Sequence, residues 1–141
     1  AGGSPPQSHV LRNPAGLAPP VGFSHVALAA PGRLVFLAGQ TAHQPDGAIA
    51  GETIQEQFTA AARNVALALE AAGAAPEHLV SLQIFVTDVD AYRAAMEPIG
   101  TAYRALFGTH YPPMALLGVD RLLDPAALVE LVAVAVIPDP G

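Results

Sequence analysis

The stretch Ala127-Leu-Val-Glu-Leu-Val-Ala-Val-Ala-Val-Ile137 gives the main indication of how this chain folds. Every residue except Glu130 is apolar, and a continuous apolar run of this length is typical of a strand buried within a sheet. A carboxylate in such surroundings costs several kcal/mol unless it is paired, hydrogen-bonded, open to a cleft or protonated. Glu130 is therefore the first candidate for chemistry, and the alternative is a solvent-facing residue near the start of the strand.

Other apolar runs along the chain predict further strands. Pro31 and Gly32 form a turn between two of these runs, which predicts a hairpin. The predicted strands cover residues 24–29, 33–40, 78–87, 114–119 and 128–137, with a weakly indicated one at 48–50.

Two amphipathic helices are predicted between the strands. Thr53 and Glu56 have the spacing of a capping box, and Gly73 is the expected end of the first helix. The second helix is predicted to run from Asp90 to Gly108, with a kink or a late start because of Pro98. Apolar residues recur at helical spacing in both, at Ile54, Phe58, Ala61, Val65 and Leu69 and at Tyr92, Met96, Ile99, Tyr103 and Leu106.

This order of elements predicts an α+β fold in which two helices cover one face of a mixed six-stranded sheet. The other face of the sheet is then uncovered. Oligomerisation is the natural way to cover it, since exposed apolar sheet surface is unfavourable in water.

The composition indicates one domain without thiol or lysine chemistry. The 141 residues are 52% hydrophobic and 13% charged, and they include neither Cys nor Lys. Disulfides, thiolate zinc sites and Schiff-base lysines are therefore excluded. We assign residues 20–138 to the domain and the Gly- and Pro-rich residues 1–19 to a flexible leader. A net charge of −6 without a basic run disfavours nucleic acid as a partner. No run is long enough to span a membrane, so we expect a cytoplasmic protein.

The sequence carries few signatures of a chemical site. The five histidines lie in separate segments without metal-ligand spacing, so we predict no metal site. Nucleotide-binding and serine-hydrolase motifs are absent from the sequence. Arg121 is a candidate anion ligand, and the alternative is a solvated residue paired with Asp120 or Asp124.

Several motifs, taken in order, resemble those of one known family. They are Gly22-Phe-Ser-His25, Leu34-Val-Phe-Leu-Ala-Gly-Gln40, Asn64-Val-Ala-Leu-Ala-Leu-Glu-Ala-Ala-Gly73, Phe85-Val-Thr-Asp88, Tyr111-Pro112 and Val129-Glu-Leu-Val-Ala-Val-Ala135. Over about residues 20 to 138 the chain resembles the Rid family, the reactive intermediate deaminases also known as YjgF or L-PSP proteins. The resemblance implies a chorismate-mutase-like fold and a homotrimer with ligand clefts at the subunit interfaces. It also implies hydrolysis of 2-imino and 2-enamino acids to 2-oxo acids and ammonia, without a cofactor.

The residues of the family site are only partly present. Glu130 matches the glutamate that the family is thought to use to handle water and protons. In the deaminases an Arg two residues after the Tyr-Pro pair binds the substrate carboxylate, and Met114 stands there in this chain. Losing such a charge-assisted contact costs about 3 kcal/mol. Three more positions have lost polar groups, since Phe23 replaces the usual Tyr, Ala38 the usual Ser and Leu116 a frequent Cys.

The resulting hypothesis is a divergent oligomer whose apolar inter-subunit cleft binds, and hydrolyses, a small imine or enamine that lacks a carboxylate. Glu130 would be the general acid or base, acting through one water. The predicted ligand pocket consists of Phe23, Ala38, Gly39, Met114, Ala115 and Leu116.

Three alternatives remain open. In the first, the protein is a non-catalytic trimer that binds a small molecule or has a structural role. In the second, it retains 2-iminobutanoate and 2-iminopropanoate deaminase activity through another cation such as Arg121. The endoribonuclease label attached to the family is the third, and it fits badly with the absence of Lys and a net charge of −6.

Overall fold

The computed structural model describes residues 9–140, which form six strands and three α-helices. The strands are β1 (His9–Arg12), β2 (Val26–Ala29), β3 (Gly32–Phe36), β4 (Leu79–Val86), β5 (Met114–Gly118) and β6 (Val129–Pro138). The helices are α1 (Ile54–Ala71), α2 (Val89–Ala94) and α3 (Met96–Phe107), and a 3₁₀ turn at Pro76–His78 precedes β4. The predicted α+β class is confirmed.

Four of the strands form a mixed sheet with the order β3-β6-β4-β5. β6 is antiparallel to both of its neighbours, whereas β4 and β5 are parallel. A parallel pair requires a crossover connection, and α2 and α3 provide it. The apolar stretch that ends the chain is thus an inner strand of this sheet, as its composition predicts.

Alternation along β6 separates a face covered by helices from a face that is not. Val129, Leu131, Ala133 and Ala135 are each at most 1% exposed and pack against the apolar stripe of α1. Each large apolar side chain buried in this way stabilises the fold by roughly 1.5–3 kcal/mol. The core therefore lies between the sheet and the helices.

Helix α1 begins and ends as the sequence predicts. Thr53 is its N-cap, and the side-chain oxygen of Thr53 accepts a hydrogen bond from the Glu56 amide at 3.2 Å. Gly73, with a φ of +77°, follows the end of the helix in a conformation that favours glycine. None of the described helices is long and apolar enough to cross a membrane.

The predicted second helix is divided into α2 and α3. Asp88 rather than Asp90 is the N-cap of α2, because its carboxylate accepts from the Ala91 amide at 3.0 Å. The break falls at Ala95, so Pro98 lies in the first turn of α3, where its missing N–H has no intrahelical acceptor to lose. The helical region therefore starts earlier than predicted, and the effect expected of Pro98 is observed as a break at Ala95.

The first two strands differ from the sequence-based expectations. β1 lies within the predicted flexible leader, so that prediction is wrong for His9–Arg12, while residues 1–8 of the predicted leader lie outside the described residues. β2 pairs with β1 and not with β3, so the predicted hairpin is wrong. Only Ala30 and Pro31 separate β2 from β3, and a two-residue hairpin turn needs positive φ angles that Pro does not adopt.

Two further details of the predicted sheet are corrected. The six strands form a four-stranded and a two-stranded sheet rather than one six-stranded sheet. The weakly indicated strand at 48–50 is reduced to a single bridge between His43 and Ile49.

The helix-free face of the four-stranded sheet exposes large apolar side chains. Leu34 and Phe36 of β3 are 65% and 73% exposed, and Phe36 lies opposite Val134 of β6. We refer to Leu34, Phe36 and Val134 as the apolar face. It is the uncovered surface that the order of elements predicts.

Candidate ligand site

Glu130 projects from the helix-free side of the sheet, because its neighbours Val129 and Leu131 point into the core. Its side chain is half-buried beside Phe85, its register partner on β4. Within residues 9–140 the carboxylate has neither a hydrogen bond nor an ion pair, and its oxygens remain open to solvent. The carboxylate is thus free to bind water, a ligand or a second chain.

Gly39 makes space for this carboxylate. A Cβ atom at residue 39 would overlap Oε2 of Glu130 and lie 2.8 Å from its Cδ. Two hydrogen bonds of 2.8 Å, in which Gln40 and Leu131 each donate an amide to the other's carbonyl, hold this segment beside β6. Ala38 is exposed next to it. We refer to Ala38, Gly39 and Glu130 as the Glu130 cluster.

A cavity of about 560 Å³ lies on the other side of the sheet, between β5 and the helices. This volume is within the range of small-molecule sites. Four of the predicted pocket residues contribute to its wall, namely Phe23, Met114, Ala115 and Leu116. Aromatic and aliphatic side chains of the helices complete most of the wall, including Phe58, Tyr92, Met96, Ile99 and Tyr103.

The tyrosine hydroxyls in the cavity wall differ in whether they have a hydrogen-bond partner in the protein. Tyr103 donates a hydrogen bond of 2.6 Å to the carbonyl of His110, and its ring stacks on Tyr111 with centroids 5.3 Å apart. Burial raises the pKa of Tyr103 and also that of Tyr92, so both are neutral hydrogen-bond donors at pH 7. Within the described part of the chain, the hydroxyls of Tyr92 and Tyr111 have no protein partner.

The structure therefore divides the predicted site residues into two groups. Paired residues on neighbouring strands point to the same face of a sheet. Met114 pairs with Leu82, which points into the core, so Met114 lies on the helix-covered face. Glu130 pairs with Phe85 and lies on the opposite face. Ala38, Gly39 and Glu130 do not contribute to the wall of the cavity. One chain alone does not bring the Glu130 cluster and the cavity together.

Two arginines differ in their position relative to the cavity. Arg121 is exposed, lies 3.9 Å from the Asp120 carboxylate and does not line the cavity, which agrees with its interpretation as a solvated residue. Arg104 on α3 does line the cavity. In the sequence Arg104 has the pattern of an ordinary exposed helical arginine, so it was not predicted as a site residue. The one available signal is its spacing, since Arg104 lies one turn after Gly100 and two turns after Met96 on the same side of α3.

A separate polar network involves the loop that follows Gln40. His43 contacts the Thr41 hydroxyl through Nδ1 and the Asp124 carboxylate through Nε2, the latter at 3.2 Å. The Asn64 side chain donates to the carbonyls of Thr41 and His43 at 2.9 and 2.8 Å. These bonds fix the loop after Gln40 against α1. In the part of the chain that the structure describes, no group of three acidic, His or Cys side chains has the arrangement of a metal site.

Comparisons with known proteins agree on one family. The family model described as "Endoribonuclease L-PSP" matches residues 15–137. YyfB of Yersinia pestis, a protein of unknown function from the conserved Rid family, has a TM-score of 0.83 at 28% identity, over 92% of this chain and 99% of its own. Rv2704 of Mycobacterium tuberculosis, a member of the YjgF/YER057c/UK114 family, has a TM-score of 0.61 at 32% identity, over 83% of this chain and 88% of its own.

A curated relative is similar over a shorter stretch. The mitochondrial protein mmf2 of Schizosaccharomyces pombe is 42% identical over 66 residues, which are 47% of this chain and 52% of that protein. The chain thus spans about half the length of this relative.

Proposed function

The chain belongs to the endoribonuclease L-PSP family, which includes the Rid and YjgF proteins, and we propose that it hydrolyses an imine or enamine with an apolar body. The observation that supports this most directly is the free carboxylate of Glu130, held against Gly39. A carboxylate without a protein partner is able to accept a proton from a bound water. Family membership alone does not establish the reaction, because one fold supports many functions.

The proposed reaction needs one proton acceptor and no cofactor. Glu130 accepts a proton from water as the oxygen attacks the carbon of the protonated imine (C=NH₂⁺), and a neutral carbinolamine forms. The carboxyl group then returns this proton to nitrogen. As the C–N bond breaks, the hydroxyl group gives its proton to the Glu130 carboxylate, ammonia and a carbonyl compound leave, and Glu130 releases the proton to solvent. General acid–base catalysis of this kind contributes about 10²–10⁴-fold to the rate.

We further propose that two subunits complete each site. The Glu130 cluster and the cavity lie on opposite faces of one chain, so a substrate in the cavity meets a carboxylate only if a second copy supplies it. The exposed apolar face offers the surface for such an assembly. The family resemblance implies a trimer.

The apolar wall favours a substrate larger than the three-carbon imino acids. Met114 offers no charge for a carboxylate, and Phe23 and Leu116 offer no polar group. Taken alone, these three residues would favour binding of an imine that lacks a carboxylate. Residual activity on 2-imino acids is the second candidate, because Arg104 places a cation in the same cavity.

The test compares ammonia release from two matched imines. An amine oxidase acting on 2-phenylethylamine generates the carboxylate-free imine, and an amino-acid oxidase acting on phenylalanine generates its 2-imino acid counterpart. We expect the wild type to accelerate hydrolysis of at least one, and Glu130→Gln to lose about 10²-fold or more of that acceleration. If neither imine nor 2-iminopropanoate is hydrolysed faster than in buffer, the catalytic proposal is wrong and a binding or structural trimer is supported.

A single substitution tests the role of position 114. Met114→Arg restores the residue found in the deaminases, so we expect it to increase activity on 2-iminopropanoate and to leave the carboxylate-free imine no better a substrate. An equal effect on both substrates would contradict the assignment of position 114 to carboxylate binding.

A further inference from the structure

Arg104 provides the charge in the wall of the cavity. Among the described residues that line it, every other side chain is uncharged. Within residues 9–140 Arg104 has no carboxylate partner, and its contact with the Thr101 hydroxyl is long, at 3.5 Å. In a chain of net charge −6, this guanidinium is therefore available to an anion from solution.

The helix directs this guanidinium along the cavity wall. A Cβ atom at residue 100 would lie 3.2 Å from Nη1 of Arg104 and 4.0 Å from its Cζ. The guanidinium thus lies across the preceding helical turn, as long helical side chains do. Met96, Gly100 and Arg104 follow one another at intervals of four residues, and all three line the cavity.

The other free polar groups of the cavity wall are hydrogen-bond donors. The Tyr92 and Tyr111 hydroxyls have no partner within residues 9–140, and the wall contains no carboxylate. A guanidinium and hydroxyl donors in the wall of one cavity complement an anion with two oxygens. The remaining wall is apolar and aromatic, so it complements a body without charge.

We propose that Arg104 binds the carboxylate of an acid with a bulky apolar body, such as an aryl or branched-chain carboxylic acid. The body of the ligand packs against Phe23, Tyr111 and Leu116. This inference rests on the proposed function in one respect, namely that the cavity is the ligand site. It makes a bulky 2-imino acid, rather than a carboxylate-free imine, the substrate class.

Binding of product-like acids tests the inference without a catalytic assay. The probes are phenylacetate, 4-methylpentanoate and phenylacetamide, the last being a neutral match for phenylacetate, and the measurement is calorimetric titration of the intact protein. We expect Arg104→Gln to bind both acids about tenfold to a hundredfold more weakly and Arg104→Lys to lose less. Binding of phenylacetamide should be weak in the wild type and unchanged in Arg104→Gln.

Two more variants separate position from charge. Arg63→Gln removes an exposed arginine from α1, outside the cavity, and should leave binding unchanged. Gly100→Ala retains the charge, and its added methyl group, 3.2 Å from Nη1, moves the guanidinium by only a few tenths of an ångström, so acid binding should be retained far better than in Arg104→Gln.

Three results would overturn the inference. They are no binding of either acid to the wild type at millimolar concentration, equal affinity in wild type and Arg104→Gln, and equal losses in Arg104→Gln and Arg63→Gln. If acid binding depends on Arg104 but the protein hydrolyses no imine, the proposed function is refuted and this inference is supported. If the protein hydrolyses imines but acid binding does not depend on Arg104, this inference is refuted and the proposed function is supported.

Discussion

The contact between Gly39 and Glu130 restricts what residue 39 can be. The backbone of Gly39 does not have a positive φ, so the reason for glycine is space rather than conformation. The two hydrogen bonds between Gln40 and Leu131 keep this segment next to β6. A larger residue 39 must therefore displace the carboxylate rather than the backbone.

Gly39→Ala is expected to remove activity with little loss of fold. The new methyl group overlaps Oε2 of Glu130, so the side chain must rotate, and imine hydrolysis should fall by about tenfold to a hundredfold. The free energy of unfolding should fall by less than about 1 kcal/mol, because Gly39 is exposed and the overlapping atoms belong to the end of a side chain that is open to solvent. Steady-state kinetics and urea denaturation measure the two effects.

Gly16→Ala is the matched control for this prediction, because no atom of the other described residues lies within 4 Å of the added Cβ. It should leave both quantities unchanged. Full activity in Gly39→Ala, together with an inactive Glu130→Gln, would show that the carboxylate does not need its present position.

The sequence identifies Glu130 but not its surroundings. A single charge in a long apolar run is visible in the sequence because it interrupts a simple pattern. The contact with Gly39 joins segments about ninety residues apart, and no local pattern predicts it. Arg104 looks like an ordinary exposed helical arginine in the sequence, and only the cavity beside α3 distinguishes it.

Gln57 links helix α1 to the segments on either side of it. Its side-chain amide donates to the carbonyls of Gly51 and Ala126 at 3.2 and 3.0 Å, and its oxygen accepts from the Leu128 amide at 2.8 Å. Only 2% of Gln57 is exposed. These bonds satisfy backbone groups just before β6 begins, so they help to set where the strand starts and where Glu130 lies.

Gln57→Leu is expected to destabilise the protein although it preserves size and adds apolar surface. It leaves three part-buried backbone groups without their side-chain partner, and the free energy of unfolding should fall by about 1–3 kcal/mol. Gln55→Leu, an exposed change on the same helix, should stay within about 0.5 kcal/mol of wild type. Equal unfolding midpoints in urea for the two variants would contradict the role given to Gln57.

His9 makes the pairing of β1 sensitive to pH. The Ala30 amide donates to Nδ1 of His9 at 3.2 Å, so the proton of the neutral ring is on Nε2, which donates to the His78 carbonyl at 3.2 Å. Burial lowers the pKa of His9 below its usual 6.5. As pH falls below 6.5, the unfolded chain binds this proton before the folded chain does, so this contribution to stability is lost between pH 6.5 and the lowered pKa.

We therefore expect wild type to lose more stability than His9→Gln when the pH falls through this range. Chemical denaturation of both proteins at several pH values measures the difference, in which contributions from the other histidines cancel. Amide exchange at Ala30 should also accelerate at low pH in the wild type. Parallel stability curves for the two proteins would contradict the prediction.

The elements themselves were more predictable than their pairing. The ends of α1 follow from Thr53 and Gly73, and the break before α3 follows from Pro98, because capping and proline geometry are local effects. The predicted hairpin of β2 and β3 failed because strand pairing depends on distant partners. β2 pairs with β1, from a segment whose Gly- and Pro-rich surroundings suggested no structure.

The apolar face is the surface that we expect an assembly to bury. Leu34 and Phe36 are mostly exposed on the helix-free side, where a soluble monomer gains nothing from them. Phe36→Glu should therefore shift the protein towards smaller species in sedimentation experiments. Leu67→Glu replaces an exposed leucine on α1 and should leave the assembly unchanged. A wild-type protein that sediments as a monomer would contradict the prediction.

Mixed assemblies test whether two subunits share each site. Glu130→Gln disables the Glu130 cluster, and Leu116→Glu disables the cavity by adding a negative charge to its apolar wall. Each variant alone should be inactive against imines. If every site takes its cluster from one subunit and its cavity from another, randomly mixed and reassembled chains contain intact sites at about a quarter of the interfaces. We therefore expect the mixture to regain about a quarter of the wild-type activity once its subunits have fully exchanged.

A mixture that exchanges subunits but stays inactive would place both halves of the site within one chain. That arrangement requires Glu130 to move from the helix-free face to the cavity.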